Sequence, residues 1–306
     1  MEGIVIKSTG SWYTVYNPDM STIMCKLKGS FRMKGIKTTN PIAVGDKVVY
    51  DPVPGDNTGL ISKIYPRYNY IIRKATKLSK VSQIIAANID HAFLIVTLAE
   101  PRTSTGFIDR FLITAEAYHI PASLVFNKID IYNDKMQTLL KTLSGIYEKA
   151  GYPCLEVSAI RGDNIDQLIM QMKDRISLFS GHSGVGKSAL INTIQPELKL
   201  KTKPISEAHK KGIHTTTFAE MIPLTFGGFI VDTPGIKEFG LYDLEKGTLA
   251  ERYPEMRALM HACKYYNCTH VHEPGCAVIE AVENGEISES RYQNYLGIIH
   301  SDEFTT

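Results

Sequence analysis

Eight consecutive residues carry the densest chemistry in the chain: Gly181-His182-Ser183-Gly184-Val185-Gly186-Lys187-Ser188, a G-x-x-x-x-G-K-S pattern. Glycines let successive backbone N–H groups turn onto phosphate oxygens, the Lys187 ammonium reaches the outer phosphates, and the Ser188 hydroxyl is placed to ligate Mg²⁺. Such a loop works only between a strand and a helix. The apolar run Ile176-Ser177-Leu178-Phe179 precedes it, and Ala189 to Ile194 suits a helix start whose positive dipole end would face the phosphates.

A second group of residues suits a purine. Asn127-Lys128-Ile129-Asp130 ends the strand-like segment Ser123-Leu124-Val125-Phe126. An ionised Asp130 accepts two hydrogen bonds, matching the N1–H and exocyclic amine of guanine. Adenine has neither donor, and a site built to hydrogen-bond a group rejects the analogue lacking it by roughly 10⁴-fold. Asn127 is expected to tie loops together near the base, and the Lys128 stem to cover the ring. Ser158-Ala159, after the next strand-like run, supplies a tight turn with a backbone N–H near the base oxygen.

Asp232-Thr233-Pro234-Gly235 follows the strand-like Gly228-Phe229-Ile230-Val231. Asp232 suits a Mg²⁺-bound water, and the Gly235 N–H suits a γ-phosphate. Between the phosphate loop and this motif lies Lys211-Gly212-Ile213-His214-Thr215-Thr216-Thr217. One of the three threonines is expected to complete the Mg²⁺ shell, with Thr216 favoured. The order of the set is unusual. A conventional GTPase runs phosphate loop, switch threonine, D-x-x-G, N-K-x-D, S-A; here N-K-I-D and S-A come first. The set is circularly permuted, which physics permits because the ligand meets strand ends and not chain connectivity. Asp232 to Gly235 then leads straight into the C-terminal segment, so nucleotide state at that switch is expected to move the C-terminal domain.

Cys263, Cys268, His270 and Cys276 follow the spacing C-x4-C-x-H-x5-C. Three thiolates and one imidazole complete a tetrahedral structural zinc site with no open position, although His261 and His272 compete as the nitrogen ligand. Cys25 and Cys154 stand apart and read as buried or free thiols.

The elements that must position these groups fall into three regions. Residues 1–70 show five short alternating segments (Gly3 to Thr9, Trp12 to Tyr16, Thr22 to Leu27, Lys47 to Asp51, Thr58 to Ile64), which suit a small barrel: an OB-fold leads, and an SH3-like barrel shares the pattern. Residues 71–240 alternate strand and helix, with apolar runs at His91 to Leu98, Ala122 to Phe126, Cys154 to Val157, Ile176 to Phe179 and Phe229 to Val231, and helical patterns at Ile108 to Tyr118, Asp134 to Ala150 and Ile165 to Met172. Residues 241–306 are helical and polar around the Cys/His cluster. The expected architecture is thus multidomain α/β: an OB-like β-barrel, a circularly permuted P-loop domain and a helical zinc-binding domain.

The net charge of +2 hides an asymmetry. Residues 1–82 hold 13 Lys/Arg against 5 Asp/Glu, a net of +8, and residues 241–306 hold 5 against 11, a net of −6. The basic end suits a polyanion such as nucleic acid or a solvated face. The junction Tyr65-Pro66-Arg67-Tyr68-Asn69-Tyr70, followed by Arg73, Lys74, Lys77 and Lys80, suits stacking and backbone contact with RNA, or a domain interface sealed by tyrosines. No run of about 18 apolar residues predicts a membrane span. The N-terminus reads as a strand and not a signal peptide, so a cytoplasmic location is expected.

Taken together, the OB-like start, the permuted N-K-I-D, S-A, G-H-S-G-V-G-K-S, G-I-H-T-T-T and D-T-P-G, and the C-x4-C-x-H-x5-C spacing resemble the small-ribosomal-subunit-dependent GTPase A family of bacteria, over essentially the whole chain. The resemblance implies a cytoplasmic, monomeric factor that binds GTP and GDP, contacts the small ribosomal subunit and its rRNA late in assembly, and hydrolyses GTP when stimulated by the subunit. It implies zinc on Cys263, Cys268, His270 and Cys276. Ile236 follows D-T-P-G where many GTPases place a water-orienting glutamine, and the resemblance offers His214 as the catalytic replacement beside Lys187. This chain has Ile213 where family members often carry arginine. Competing readings are a translation-associated or tRNA-modifying GTPase, an RNA-binding scaffold with a structural nucleotide site, and a P-loop kinase, against which the guanine-matched turns argue.

Overall fold

The computed structural model describes residues 1–29, 41–73, 83–200, 219–232 and 246–301. His214, Thr216, Gly235, Ile236 and the basic Lys74, Lys77 and Lys80 lie outside the described residues, and Asp232 is described by its backbone alone. The chain divides into two compact units, Met1–His91 with Gln171–Phe179 and His209–Ile236, and Ala92–Met170 with Ser180–Ala208 and Lys237–Thr306.

In the first unit, β1 (Glu2–Thr9), β2 (Trp12–Tyr16), β3 (Thr22–Leu27), β4 (Lys47–Pro52) and β5 (Thr58–Ile64) close a ring in the order β1-β2-β3-β5-β4, with β4 returning to β1. The β3–β5 pair is parallel and the others antiparallel. This closure is the OB arrangement. Period-two alternation turns Val5, Tyr13, Val15, Cys25, Val48, Tyr50 and Ile61 into one core, with Ile42 joining from the connection before β4.

The junction after β5 is structural. The Arg67 guanidinium donates to Asp46 Oδ2 at 2.6 Å and to the Pro41 carbonyl at 2.9 Å, with both charged side chains buried. Asp46 also accepts the Ala43 N–H at 2.8 Å. The Tyr68 hydroxyl, with one proton to share, lies 2.7 Å from both the Asn88 carbonyl and Asp90 Oδ1. Arg67 is therefore withdrawn from the RNA-facing role its place in a basic, aromatic stretch suggests. A hairpin that the sequence pattern does not reveal follows: β6 (Tyr70–Arg73) against β7 (Gln83–Ala87).

The second unit holds β8 (His91–Val96), α1 (Thr105–Ala117), β9 (Ala122–Phe126), α2 (Asp134–Lys149), β10 (Cys154–Glu156) and α3 (Ile165–Met172). The three strands are parallel, and every residue of β9 is buried, as expected of a strand covered on both faces. Ser104 caps α1 by accepting the Phe107 N–H, and Asn133 caps α2 by accepting the Met136 N–H. β11 (Ile176–Ser180) leads into α4 (Lys187–Ile194). In the first unit β11 pairs in parallel with β13 (Phe229–Asp232), which takes β12 (Glu220–Pro223) antiparallel. The C-terminal residues form α5 (Pro254–Arg257), α6 (Ala277–Glu283) and α7 (Glu289–Ile299), whose core of Leu249, Tyr253, Met256, Val278, Ile287, Tyr295 and Ile298 includes Ile113 from α1. Among the described residues no helix is long and apolar enough to cross a membrane.

Candidate functional site

Asn127 is the knot of the base-side loops. Its side chain, 1 % exposed, donates from Nδ2 to the Val185 carbonyl at 2.9 Å and accepts the Ala159 N–H on Oδ1 at 3.2 Å. One amide thus joins N-K-I-D, S-A and the phosphate loop, as the sequence led us to expect. Its backbone carbonyl accepts the Tyr132 hydroxyl at 2.7 Å, and that hydroxyl accepts the Leu98 N–H at 2.9 Å. Tyr132 is a positioning residue that motif reasoning missed; its signal was an aromatic with a polar tip two residues past Asp130.

Asp130 is oriented by the Ser158 hydroxyl, which donates to Oδ1 at 2.6 Å. Ser158 is fully buried and also accepts the Arg161 N–H on Oγ at 3.1 Å, so the turn is held from both sides. The Ala159 N–H is given to Asn127, which fixes the S-A turn against the N-K-I-D turn. Lys128 adopts a left-handed backbone with φ 65°, and its ammonium donates to the Glu100 carbonyl. Burial lowers its pKa from the ordinary lysine value. The Ile129 N–H donates to the Val157 carbonyl at 3.3 Å, which pins the turn to the end of β10.

The phosphate loop has the backbone its glycines permit. Gly186 has φ +94°, and a Cβ there would come within 2.3 Å of Asn127 Nδ2. The absence of a side chain therefore admits both the left-handed turn and the Asn127 contact. Val185 is fully buried, anchoring the loop, while Ser183 and Gly184 are exposed and Ser188 is half-buried at the start of α4. Lys187 Nζ donates back to the carbonyls of Gly181, at 2.5 Å, and His182, at 2.7 Å. Its ammonium is held over the loop it would serve. The His182 ring stacks on Phe107 with centroids 3.8 Å apart, and burial, with the Lys187 charge, pushes its pKa down and favours the neutral imidazole. Asp232 closes β13 in register with Glu220.

A separate cluster has the chemistry of a metal site. One ligand atom from each of Cys263, Cys268, His270 and Cys276 lies within 4.8 Å of the others. His270 Nδ1 stands 3.6 Å from Cys263 Sγ and 3.3 Å from Cys276 Sγ, and the two sulfurs are 4.0 Å apart. A zinc tetrahedron with Zn–S of about 2.3 Å and Zn–N of about 2.0 Å would set sulfurs about 3.8 Å apart and sulfur to nitrogen about 3.5 Å. The donor set fits, with His270 and not His261 or His272 supplying the nitrogen. Burial and the neighbouring thiols push Cys268 up to about 12, a charge problem that a divalent cation reverses.

Glu273 shapes this loop and was missed by the spacing argument. Its carboxylate accepts the Thr269 N–H at 2.7 Å and hydroxyl at 2.5 Å, the Val271 N–H at 3.0 Å and the His272 N–H at 3.2 Å. Although burial opposes the charge, these donors hold its pKa well below the usual carboxylate range. They wrap the backbone around His270, itself left-handed with φ 58°.

Comparison with known proteins agrees with this geometry. Residues 64–242 match the family model described as RsgA GTPase, and residues 2–61 match that of the RsgA N-terminal domain. A small ribosomal subunit biogenesis GTPase RsgA of Flavobacterium psychrophilum is 53 % identical over 100 % of this chain and 94 % of its own length. The protein of the same description from Bacteroides fragilis is 51 % identical over 99 % of this chain and 97 % of its own. The crystal structure of YjeQ from Thermotoga maritima superposes with a TM-score of 0.82 at 36 % identity, covering 99 % of this chain and 98 % of that one. YloQ, described as a circularly permuted GTPase, gives 0.78 at 29 % identity over 99 % and 94 %.

Proposed function

The chain belongs to the RsgA GTPase family, and from that premise we propose that it hydrolyses GTP to GDP and phosphate while bound to the small ribosomal subunit during late assembly, with the subunit stimulating turnover. The observation that supports the proposal is Asn127, whose amide joins N-K-I-D, S-A and the phosphate loop beside one carboxylate, Asp130, which accepts from the Ser158 hydroxyl.

In this reading Asp130 reads the base edge, and Asn127, Lys128, Ile129, Ser158 and Ala159 shape its pocket. Gly181 to Ser188 present backbone N–H groups to the phosphates. Lys187 exchanges its two carbonyl partners for phosphate oxygens and offsets the charge that develops during in-line attack of water. Ser188, Thr216 and Asp232 would hold Mg²⁺, which would supply charge neutralisation to the phosphates. His214 orients the attacking water. Zn²⁺ on Cys263, Cys268, His270 and Cys276 is structural, since four protein donors leave no position for substrate.

The proposed domains are a barrel over residues 1–70, a nucleotide domain over 71–240 and a zinc-binding helical domain over 241–306, a division supported by the family matches over 2–61 and 64–242. The basic end of the chain faces rRNA. The factor works in the cytoplasm as a monomer. Steady-state GTP turnover, measured alone and with purified small or large subunits, tests the whole: stimulation by small subunits alone is expected, and equal turnover in all three samples overturns it.

A further inference from the structure

The first turns of α1 touch the phosphate loop at one residue and the C-terminal helices at another. Phe107 stacks on His182 of the loop at 3.8 Å between centroids. Asp109 follows two residues later, about 200° around the helix and so on its opposite face. Its two oxygens accept from Arg291 Nη1 and Asn294 Nδ2 of α7, each at 2.5 Å. Asp109 is fully buried and Arg291 only 2 % exposed; Arg291 also pairs with Glu255. From α7 the Tyr292 hydroxyl donates to the His270 carbonyl at 2.8 Å, and the Tyr295 hydroxyl to the Thr269 carbonyl at 2.5 Å. At the other end, Pro101 of the connection leading into α1 lies 3.2 Å from where a Cβ on Gly184 would sit.

These contacts form one chain of short-range pairs: phosphate loop, Phe107, α1, Asp109, α7, metal loop. Stacked rings and a desolvated ion pair resist displacement: a gap of about 0.5–1 Å forfeits roughly a quarter to a half of each dispersion contact, and parting a buried pair leaves an uncompensated charge. The single residue of regular helix between Phe107 and Asp109, Ile108, does not absorb a shift. A change at His182 must therefore be taken up by Phe107 or passed on to α7, and such coupling acts equally in both directions.

We propose that α1 couples occupancy of the phosphate loop to the seating of α7, with Phe107 as the positioning residue between them. The proposal rests on the reading of Gly181 to Ser188 as a guanine-nucleotide site. It names a route that does not use the Asp232-to-Gly235 switch. It therefore responds to GDP, whose phosphates fill the loop, and does not require a γ-phosphate.

The experiment is amide hydrogen exchange on the full-length chain, with and without GDP, while a fluorescent GDP analogue reports occupancy in parallel samples. Amides of 289–299 are expected to exchange about 5-fold or more slowly with GDP bound. Phe107→Ala truncates a half-buried ring outside the nucleotide motifs; it is expected to bind GDP, keep the protection of α4 and lose that of α7. Unchanged exchange across α7 in wild-type protein with GDP bound overturns the coupling, as does α7 protection that survives in Phe107→Ala. The wild-type arm decides without the variant. Failure to bind GDP at all is read separately by the fluorescent analogue and removes the nucleotide site together with the coupling.

Discussion

Asn127 and Val185 are 58 residues apart and joined by a 2.9 Å hydrogen bond from side-chain amide to backbone carbonyl. The bond ties the N-K-I-D turn to the G-x-x-x-x-G-K-S loop. Asn127→Ala would leave the Val185 carbonyl and the Ala159 N–H without their partner, at about 1–3 kcal/mol for each buried group left unmade. GDP affinity is expected to fall roughly 10- to 100-fold, with a lower Tm, in a calorimetric titration and melting curve. Wild-type affinity in this variant would mean that the three loops are aligned by something else.

Base choice should follow the Asp130 carboxylate. It accepts two donors from guanine; xanthine presents a carbonyl where guanine has its amine. Asp130→Asn replaces one acceptor by a donor and should weaken GDP binding by roughly 10²-fold or more while strengthening that of xanthosine diphosphate. Competition between the two nucleotides against a fluorescent analogue measures the exchange. Retained guanine preference would place the base elsewhere.

Metal removal should act on the C-terminal helices. The Cys263, Cys268, His270 and Cys276 donors lie beside a core that includes Cys276, Val278 and Tyr292. One zinc per chain is expected by elemental mass spectrometry, and Cys276→Ser is expected to lose it and lower Tm by several degrees, as loss of about 2 kcal/mol or more would do. A metal-free preparation with an unchanged melting curve would contradict a structural role.

His91 gives stability a pH dependence in the mildly acid range. Burial and the nearby Arg175 push it down to about 4. The unfolded chain takes up a proton near the ordinary histidine value of about 6.5, whereas the folded protein resists until about 4. Its contribution is therefore fully present above about pH 6.5 and lost as pH falls between these values, with a slope of up to about 1.4 kcal/mol per pH unit. His91→Gln should flatten urea-derived stability across that window. An unchanged slope would assign the dependence to other groups.

The Cys/His cluster and the loops that Asn127 joins were legible in the sequence because their spacing is local: four donors in fourteen residues, or glycines before a lysine. The barrel strands were legible because a half-buried sheet enforces period-two alternation. The hairpin of Tyr70–Arg73 with Gln83–Ala87 was not, since each strand is short and basic residues fill the interval. β12 was hidden likewise, four residues ending in Pro223. Arg67 looked like part of a basic surface; only the three-dimensional return of Asp46 shows it neutralised in the interior. Glu273 and Tyr132 escaped because their roles depend on which backbone groups a loop presents, and periodicity holds no record of that.

The permuted motif order has a bearing on biosynthesis. Asn127 leaves the translating machinery before Val185 exists, and at about 5–20 residues per second the 58-residue interval lasts about 3–12 s. Throughout that delay the N-K-I-D turn exists without the phosphate loop to which Asn127 ties it. On the proposed reading, the growing chain stays blind to the cell's nucleotide pool until the later motif has emerged.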